Sequence, residues 1–254
     1  MYSIDQEDLE EKLADPQTSM LILCNPHNPV GKIWDRETLK RIGELCFKHH
    51  VLVLSDEIHC DITRPGMEYI PFASVSEHCK NNSITCVAPT KTFNLAGLQT
   101  AAVIVPDAAL RHRVNRGLNT DEVAEPNVFA AIAPIAAFDR GREWLEELRE
   151  YLWENRKFAE DFIREEIPEL RTVSADATYL LWIDCNALPG DLSELAEFIR
   201  KESGLYVCDG REYGNGYGFL RMNLACRREL LKEGLERLKR SIHSYRKGIS
   251  NGII

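Results

Sequence analysis

Short apolar runs in this chain are followed directly by residues able to do chemistry. Behind the run at 20–24 comes Asn25-Pro26-His27-Asn28-Pro29-Val30-Gly31, where two prolines and a glycine fix the backbone and present Asn28 as a donor. Behind 51–54 comes Ser55-Asp56-Glu57-Ile58-His59, which sets a carboxylate at the mouth of a buried strand with a histidine three residues on. Such a carboxylate costs free energy unless a cation or donor faces it. Behind 84–88 comes Pro89-Thr90-Lys91-Thr92-Phe93-Asn94-Leu95-Ala96-Gly97. Here a lysine stands between two hydroxyls, and a partly desolvated lysine is a good carbonyl nucleophile because burial favours its neutral amine. Each stretch taken singly has a plainer reading: an Asn-Pro turn, a helix N-cap at Ser55 or Asp56, a surface lysine.

The elements that must position these residues follow from the hydrophobic pattern. Apolar runs at 20–24, 51–55, 84–88 and 101–105 alternate with helical patterns, such as the one at 36–49 that sets Leu39, Ile42, Leu45 and Cys46 on one face. That rhythm predicts an α/β fold with a mostly parallel sheet, and unbroken runs such as Val51-Leu52-Val53-Leu54 suit strands covered by helices on both faces. In such sheets ligands bind at the carboxyl ends of the strands. Asn28, Asp56 and Lys91 then converge on one sheet edge. They are the set that pyridoxal phosphate needs: a Schiff-base lysine, a carboxylate for the pyridine nitrogen and a donor to the phenolic oxygen.

From about residue 143 the pattern changes. A long amphipathic helix reaches residue 167, and strand-like 179–183, a helix at 192–202, strands near 205–207 and 219–224 and a closing helix carrying Leu231, Leu235, Leu238 and Ile242 come after it. The expected organisation is a large cofactor-binding domain over 1–143 and a smaller α+β domain over 144–254.

In order along the chain, Asn-Pro-His-Asn-Pro-Val-Gly, Ser-Asp-Glu-Ile-His and Pro-Thr-Lys-Thr-Phe-Asn-Leu-Ala-Gly-Leu resemble the fold-type I pyridoxal-phosphate enzymes of the class I/II aminotransferase family. The likeness is greatest to the cystathionine β-lyase (C-S lyase) branch. It extends to Gly218-Phe219-Leu220-Arg221-Met222-Asn223-Leu224-Ala225-Cys226, similar to the family's small-domain strand. The resemblance implies that Lys91 carries the cofactor and shuttles the substrate α-proton, that Asp56 pairs with the pyridinium, and that Asn28 bonds the phenolic oxygen. It implies that Arg221 clamps the substrate carboxylate, a planar anion matched by the guanidinium fork; an edge-strand surface arginine is the plainer reading. His59 stands where many aminotransferases have a tyrosine that reaches the same phenolic oxygen, or it packs beside the ring. Thr90 and Thr92 offer hydroxyls to the phosphate, whereas Ala88 and Gln99 occupy positions where many relatives have a phosphate-binding serine and arginine.

The resemblance also implies that the family's N-terminal portion is lacking here, including the helix N-terminus that binds the phosphate. Weak or absent activity of these 254 residues alone is therefore expected. The expected reaction is cleavage of an L-cysteine S-conjugate to a thiol, pyruvate and ammonia by a homodimer. A class I/II aminotransferase and a catalytically silent, partner-binding remnant are the alternatives.

Composition narrows the classes further. Thirty-one Lys and Arg against 40 Asp and Glu give a net charge of −9, poorly suited to holding a nucleic-acid backbone. The longest apolar run, at 128–138, is far below the roughly 20 residues of a membrane span, and acids rather than a basic segment follow Met1. The eight cysteines form no C-x-x-C pair and the histidines no ligand cluster, so a cytoplasmic protein without a metal is expected.

Overall fold

A computed structural model describes residues 2–251. The chain divides into two compact units. The first is built from the chain up to Asn28, from Lys32–Arg149 and from Asp176–Thr178; the second is built from Pro29–Gly31, Glu150–Ala175 and the chain from Tyr179 on.

In the first unit α1 (Gln6–Ala14) starts at Asp5, whose side chain accepts from the N–H groups of Glu7 and Asp8. It leads to β1 (Met20–Cys24) and then α2 (Arg36–Lys48), where the Asp35 carboxylate accepts the Thr38 N–H at 2.8 Å. β2 (Leu52–Asp56), α3 (Glu77–Asn81), β3 (Ser83–Val87) and the single turn α4 (Pro89–Thr92) follow. β4 (Ala102–Ile104), α5 (Ala108–Thr120), α6 (Phe129–Arg140) and the start of α7 (Arg142–Glu166) complete the unit. The sheet runs β1-β2-β3-β4, with β1, β2 and β3 parallel and β4 antiparallel to β3.

The face of α2 read from the sequence is the buried one: Leu39, Ile42, Leu45 and Cys46 pack with Leu23, Val53, Phe72 and Cys79 into one core. The opposite face of the sheet departs from the two-sided cover expected of its apolar runs. Side chains alternate along a strand, so Met20 and Ile22 share a face with Leu52 and Leu54. They are 44% and 68% exposed among the described residues. Farther along that face α5 supplies cover, with Leu110 against Ile84 and Val105.

The second unit holds β5 (Arg171–Thr172), β6 (Leu180–Asp184), α8 (Leu195–Ser203), β7 (Cys208–Asp209), β8 (Phe219–Asn223) and α9 (Arg228–Ser250). Its sheet is antiparallel in the order β5-β6-β8-β7. Leu231, Leu235, Leu238 and Ile242 of α9 are buried as their spacing requires, against Leu181, Ile183 and Leu220. The strand expected at 205–207 is shifted to 208–209, because the pairing with β8 begins at Cys208↔Arg221.

At Gly43 α2 approaches α3 closely, since a Cβ there would stand 2.3 Å from the Cys79 sulfur. Cys79 is fully buried and its sulfur is held between Ser76 and the Leu39 carbonyl, so it cannot yield freely. Gly43→Ala should therefore lose about 1–3 kcal/mol to overpacking, more than the roughly 1 kcal/mol of helix propensity that alanine gains. Urea unfolding checks this, and Gly43→Ala combined with Cys79→Ala should recover part of the loss.

Candidate active site

The carboxyl ends of β1, β2 and β3 stand side by side, and their register pairs Cys24 with Asp56 and Asp56 with Cys86. Asp56 therefore closes the central strand between two thiols. Backbone bonds continue the alignment past the strand ends: Asn25 donates to the Asp56 carbonyl at 3.0 Å, and Glu57 to the Cys86 carbonyl at 2.9 Å. The carboxylate of Asp56 takes the N–H of Ile58 at 3.3 Å. Burial, reinforced by the Asp56 charge, pushes both the Cys24 and the Cys86 thiols up from their ordinary range.

The turn after β1 folds back on its own strand. The Asn28 N–H reaches the Cys24 sulfur, His27 donates to the Lys32 carbonyl at 2.8 Å, and Gly31 adopts φ 75°, a left-handed conformation that glycine enters without strain. Asn28 is thereby carried beside the row that holds Asp56.

Lys91 lies four residues past β3, within α4. Pro89 at the first turn presets the helix, and Thr92 anchors it. The Thr92 side chain is fully buried and its hydroxyl donates to the Asp61 carboxylate at 2.8 Å. Phe93 accepts Phe138 edge-on at 5.2 Å and stacks with Trp144 at 5.8 Å, so the chain leaving Lys91 is tied to α6 and α7. Lys91 and Thr90 remain partly exposed, and His59 is buried in the turn after Asp56.

The sequence-expected residues Asn28, Asp56, His59, Thr90, Lys91 and Thr92 thus all belong to the first unit, at the carboxyl ends of its parallel strands. Arg221 stands in the second unit, on β8, with its guanidinium 4.5 Å from the Tyr213 ring centroid and donating to the Cys208 sulfur at 3.3 Å. Ala88 gives α4 no side-chain cap, and Gln99 is exposed with a left-handed backbone at φ 49°. The hydroxyl of Thr92 faces Asp61, which leaves Thr90 as the hydroxyl open to a ligand on this turn.

Sequence reasoning passed over Glu57, Tyr69 and Asn25. Glu57 is 2% exposed, takes the Ser55 hydroxyl at 2.8 Å and the Phe72 N–H at 3.0 Å, and contacts Tyr69. Burial, and the neighbouring Asp56 charge, push its carboxyl up from the ordinary range. A second acid beside Asp56 was visible, but its partners lie too far along the chain for local spacing to reveal. No helix among the described residues is long and apolar enough to cross a membrane.

Chemically the site offers an amine, a carboxylate and an amide along one row of strand ends. That donor set suits an aromatic aldehyde with a basic ring nitrogen and a phenolic oxygen.

Residues 1–238 match the profile of the family described as aminotransferase class I and II. The cystathionine beta-lyase PatB of Bacillus subtilis (strain 168) is 43% identical over 242 residues, covering 95% of this chain and 62% of that protein. Among solved structures, cystalysin from Treponema denticola, which contains pyridoxal 5'-phosphate, superposes with TM-score 0.89 at 31% identity, over 96% of this chain and 62% of that one. The PLP-bound C-S lyase of Staphylococcus hominis gives TM-score 0.85 at 31% identity, over 95% and 62%. The chain spans about 62% of the length of these relatives. Its fold is that of the fold-type I PLP-dependent enzymes.

Replacing Thr92 by valine strands one acceptor of Asp61 and should cost about 1–3 kcal/mol in urea unfolding, whereas Thr92→Ser, which keeps the hydroxyl, should lose less than half of that.

Proposed function

Because this chain belongs to the class I and II aminotransferase family, we propose that it carries the pyridoxal-phosphate site of a C-S β-lyase. The reaction cleaves an L-cysteine S-conjugate of the cystathionine type with water to a thiol, pyruvate and ammonia. The observation that carries the reading is the register Cys24–Asp56–Cys86, which brings the Asn28, Asp56 and Lys91 segments to one end of three adjacent parallel strands. The 43% identity to a cystathionine beta-lyase favours the lyase over amino transfer.

The donor set fits the ring of the cofactor. Lys91 would bind the aldehyde carbon, Asp56 would hold a proton at the ring nitrogen, and Asn28 and His59 would bond the phenolic oxygen. At the phosphate the described residues offer less: Thr90 would donate, while Thr92 acts by fixing the Lys91 turn through Asp61. When bound, the cofactor supplies an electron sink for the carbanion at the substrate α-carbon. Lys91 Nζ would take the proton from that carbon, as a positioned general base. Arg221 would hold the substrate carboxylate through its guanidinium fork.

The eight cysteines, none in a disulfide, support a cytoplasmic enzyme. Its partners in this reading are the amino-acid substrate and a second copy of the chain in a homodimer.

The test is pyruvate release from L-cystathionine with pyridoxal phosphate present and no 2-oxo acid added. A thiol and pyruvate in equal amounts are expected, with Lys91→Ala reducing turnover by about 10²-fold or more. Turnover that strictly requires a 2-oxo acid acceptor would overturn the lyase reading in favour of an aminotransferase. No product under either condition would favour the third alternative, a catalytically silent, partner-binding chain.

A further inference from the structure

The antiparallel sheet of the second unit has a face that its core does not use. Side chains alternate along a strand. Leu181, Ile183, Leu220 and Met222 belong to the core, so Trp182, Phe219 and Arg221 point the other way. The register sets Trp182 on β6 and Cys208 on β7 directly across from Arg221. On this face the Trp182 and Phe219 rings stack at 5.0 Å with their planes 9° apart. Tyr213 meets Trp182 edge-on at 5.9 Å, and its ring centroid lies 4.5 Å from the central carbon of the Arg221 guanidinium. The guanidinium also donates to the Cys208 sulfur at 3.3 Å. A long, flexible side chain is thus fixed at its far end by a ring and a thiol.

The segment that carries Tyr213 is fastened at both ends. Between β7 and β8 the chain closes on itself so tightly that a Cβ at Gly210 would stand 2.1 Å from the Gly216 carbonyl oxygen, and one at Gly216 2.1 Å from the Gly210 carbonyl oxygen. The Phe219 N–H donates to the Gly216 carbonyl at 3.0 Å, and the Cys185 N–H to the Gly218 carbonyl at 2.8 Å. On the other side the Asp209 carboxylate takes the Arg211 N–H at 2.8 Å. A ring against the face of a guanidinium leaves the N–H donors directed outward in the plane of that group, so the ring sets the direction the donors take. We propose that Tyr213 is a positioning residue, whose ring holds the Arg221 guanidinium in the plane in which it takes the substrate carboxylate. A clamp oriented in advance loses less side-chain freedom when the carboxylate arrives. The consequence for substrate rests on Arg221 being the carboxylate clamp; the contact between ring and guanidinium does not.

The first measurement is the arginine side-chain N–H spectrum of the chain by nuclear magnetic resonance, without cofactor or substrate. The Arg221 signal, identified by its absence in Arg221→Gln, should move toward the position of free arginine in Tyr213→Leu and stay in place in Tyr213→Phe, which keeps the ring. An unmoved signal in Tyr213→Leu would overturn the proposal. Leucine keeps much of the volume of this half-buried side chain, so the variant should fold. The second measurement is calorimetric binding of L-alanine to the chain saturated with pyridoxal phosphate. L-Alanine has the amino and carboxylate groups of the substrate and no β leaving group, so binding is read without elimination. Tyr213→Leu should weaken it about fivefold, the equivalent of one cation–π contact, and Tyr213→Phe should restore it. L-Alanine methyl ester, which lacks the carboxylate, should bind Tyr213→Leu and the unaltered chain alike; equal weakening of acid and ester would mean a merely structural role and overturn the proposal. Loss of L-alanine affinity in Arg221→Gln with none in Tyr213→Leu would overturn the positioning role alone. No loss in Arg221→Gln, or no binding by the unaltered chain, would overturn the clamp reading and the proposal with it.

Discussion

The parallel register of β1, β2 and β3 is the constraint on which the rest of the site depends. Because side chains alternate, a slip of one residue between β1 and β2 would turn a whole strand over. In the observed pairing, Cys24, Asp56 and Cys86 lie in one row, and the turns that follow all leave from the same end of the sheet. The register is held by the core on the other face, where Leu23 and Val53 meet α2 through Leu39, Ile42 and Leu45. Burial of that face and placement of the chemistry are thus two results of one alignment.

The strand ends carry polar groups that burial would penalise if they lacked partners, and the fold supplies those partners from distant segments. Asn25 is fully buried yet bonded on its amide and its carbonyl to Trp34 and Tyr69. Thr92 is fully buried and bonded to Asp61, which follows β2. The bond joins the turn that presents Lys91 to the loop behind Asp56, so the amine and the carboxylate share one scaffold. Asp56 and Glu57 divide the faces of the sheet between them, the first beside the thiols of neighbouring strands and the second among Ser55, Tyr69 and Phe72.

Much of this was legible in the sequence. Met20–Cys24 and the face of α2 follow from apolar runs and helical spacing, and the long α7 and α9 follow from sustained amphipathic patterns. The family resemblance rested on residues that the structure gathers at one sheet end, with Arg221 in the other unit. What was hidden depends on partners far along the chain. Tyr69 meets Asn25 across 44 residues, and Thr92 meets Asp61 across 31; no local period encodes such pairs. Strand direction is equally invisible to periodicity, so the antiparallel β4 could not be separated from its parallel neighbours. The open face at Ile22 was hidden for a related reason: an unbroken apolar run states that both faces are apolar and leaves unstated what covers them.

The central claim is that Lys91 is the amine that the strand register presents to the cofactor. The most direct measurement is borohydride reduction of the chain saturated with pyridoxal phosphate, with peptide mapping of the modified lysine. A single stable adduct on Lys91 is the predicted result. Adducts spread over surface lysines, with Lys91 unmodified, would contradict the account.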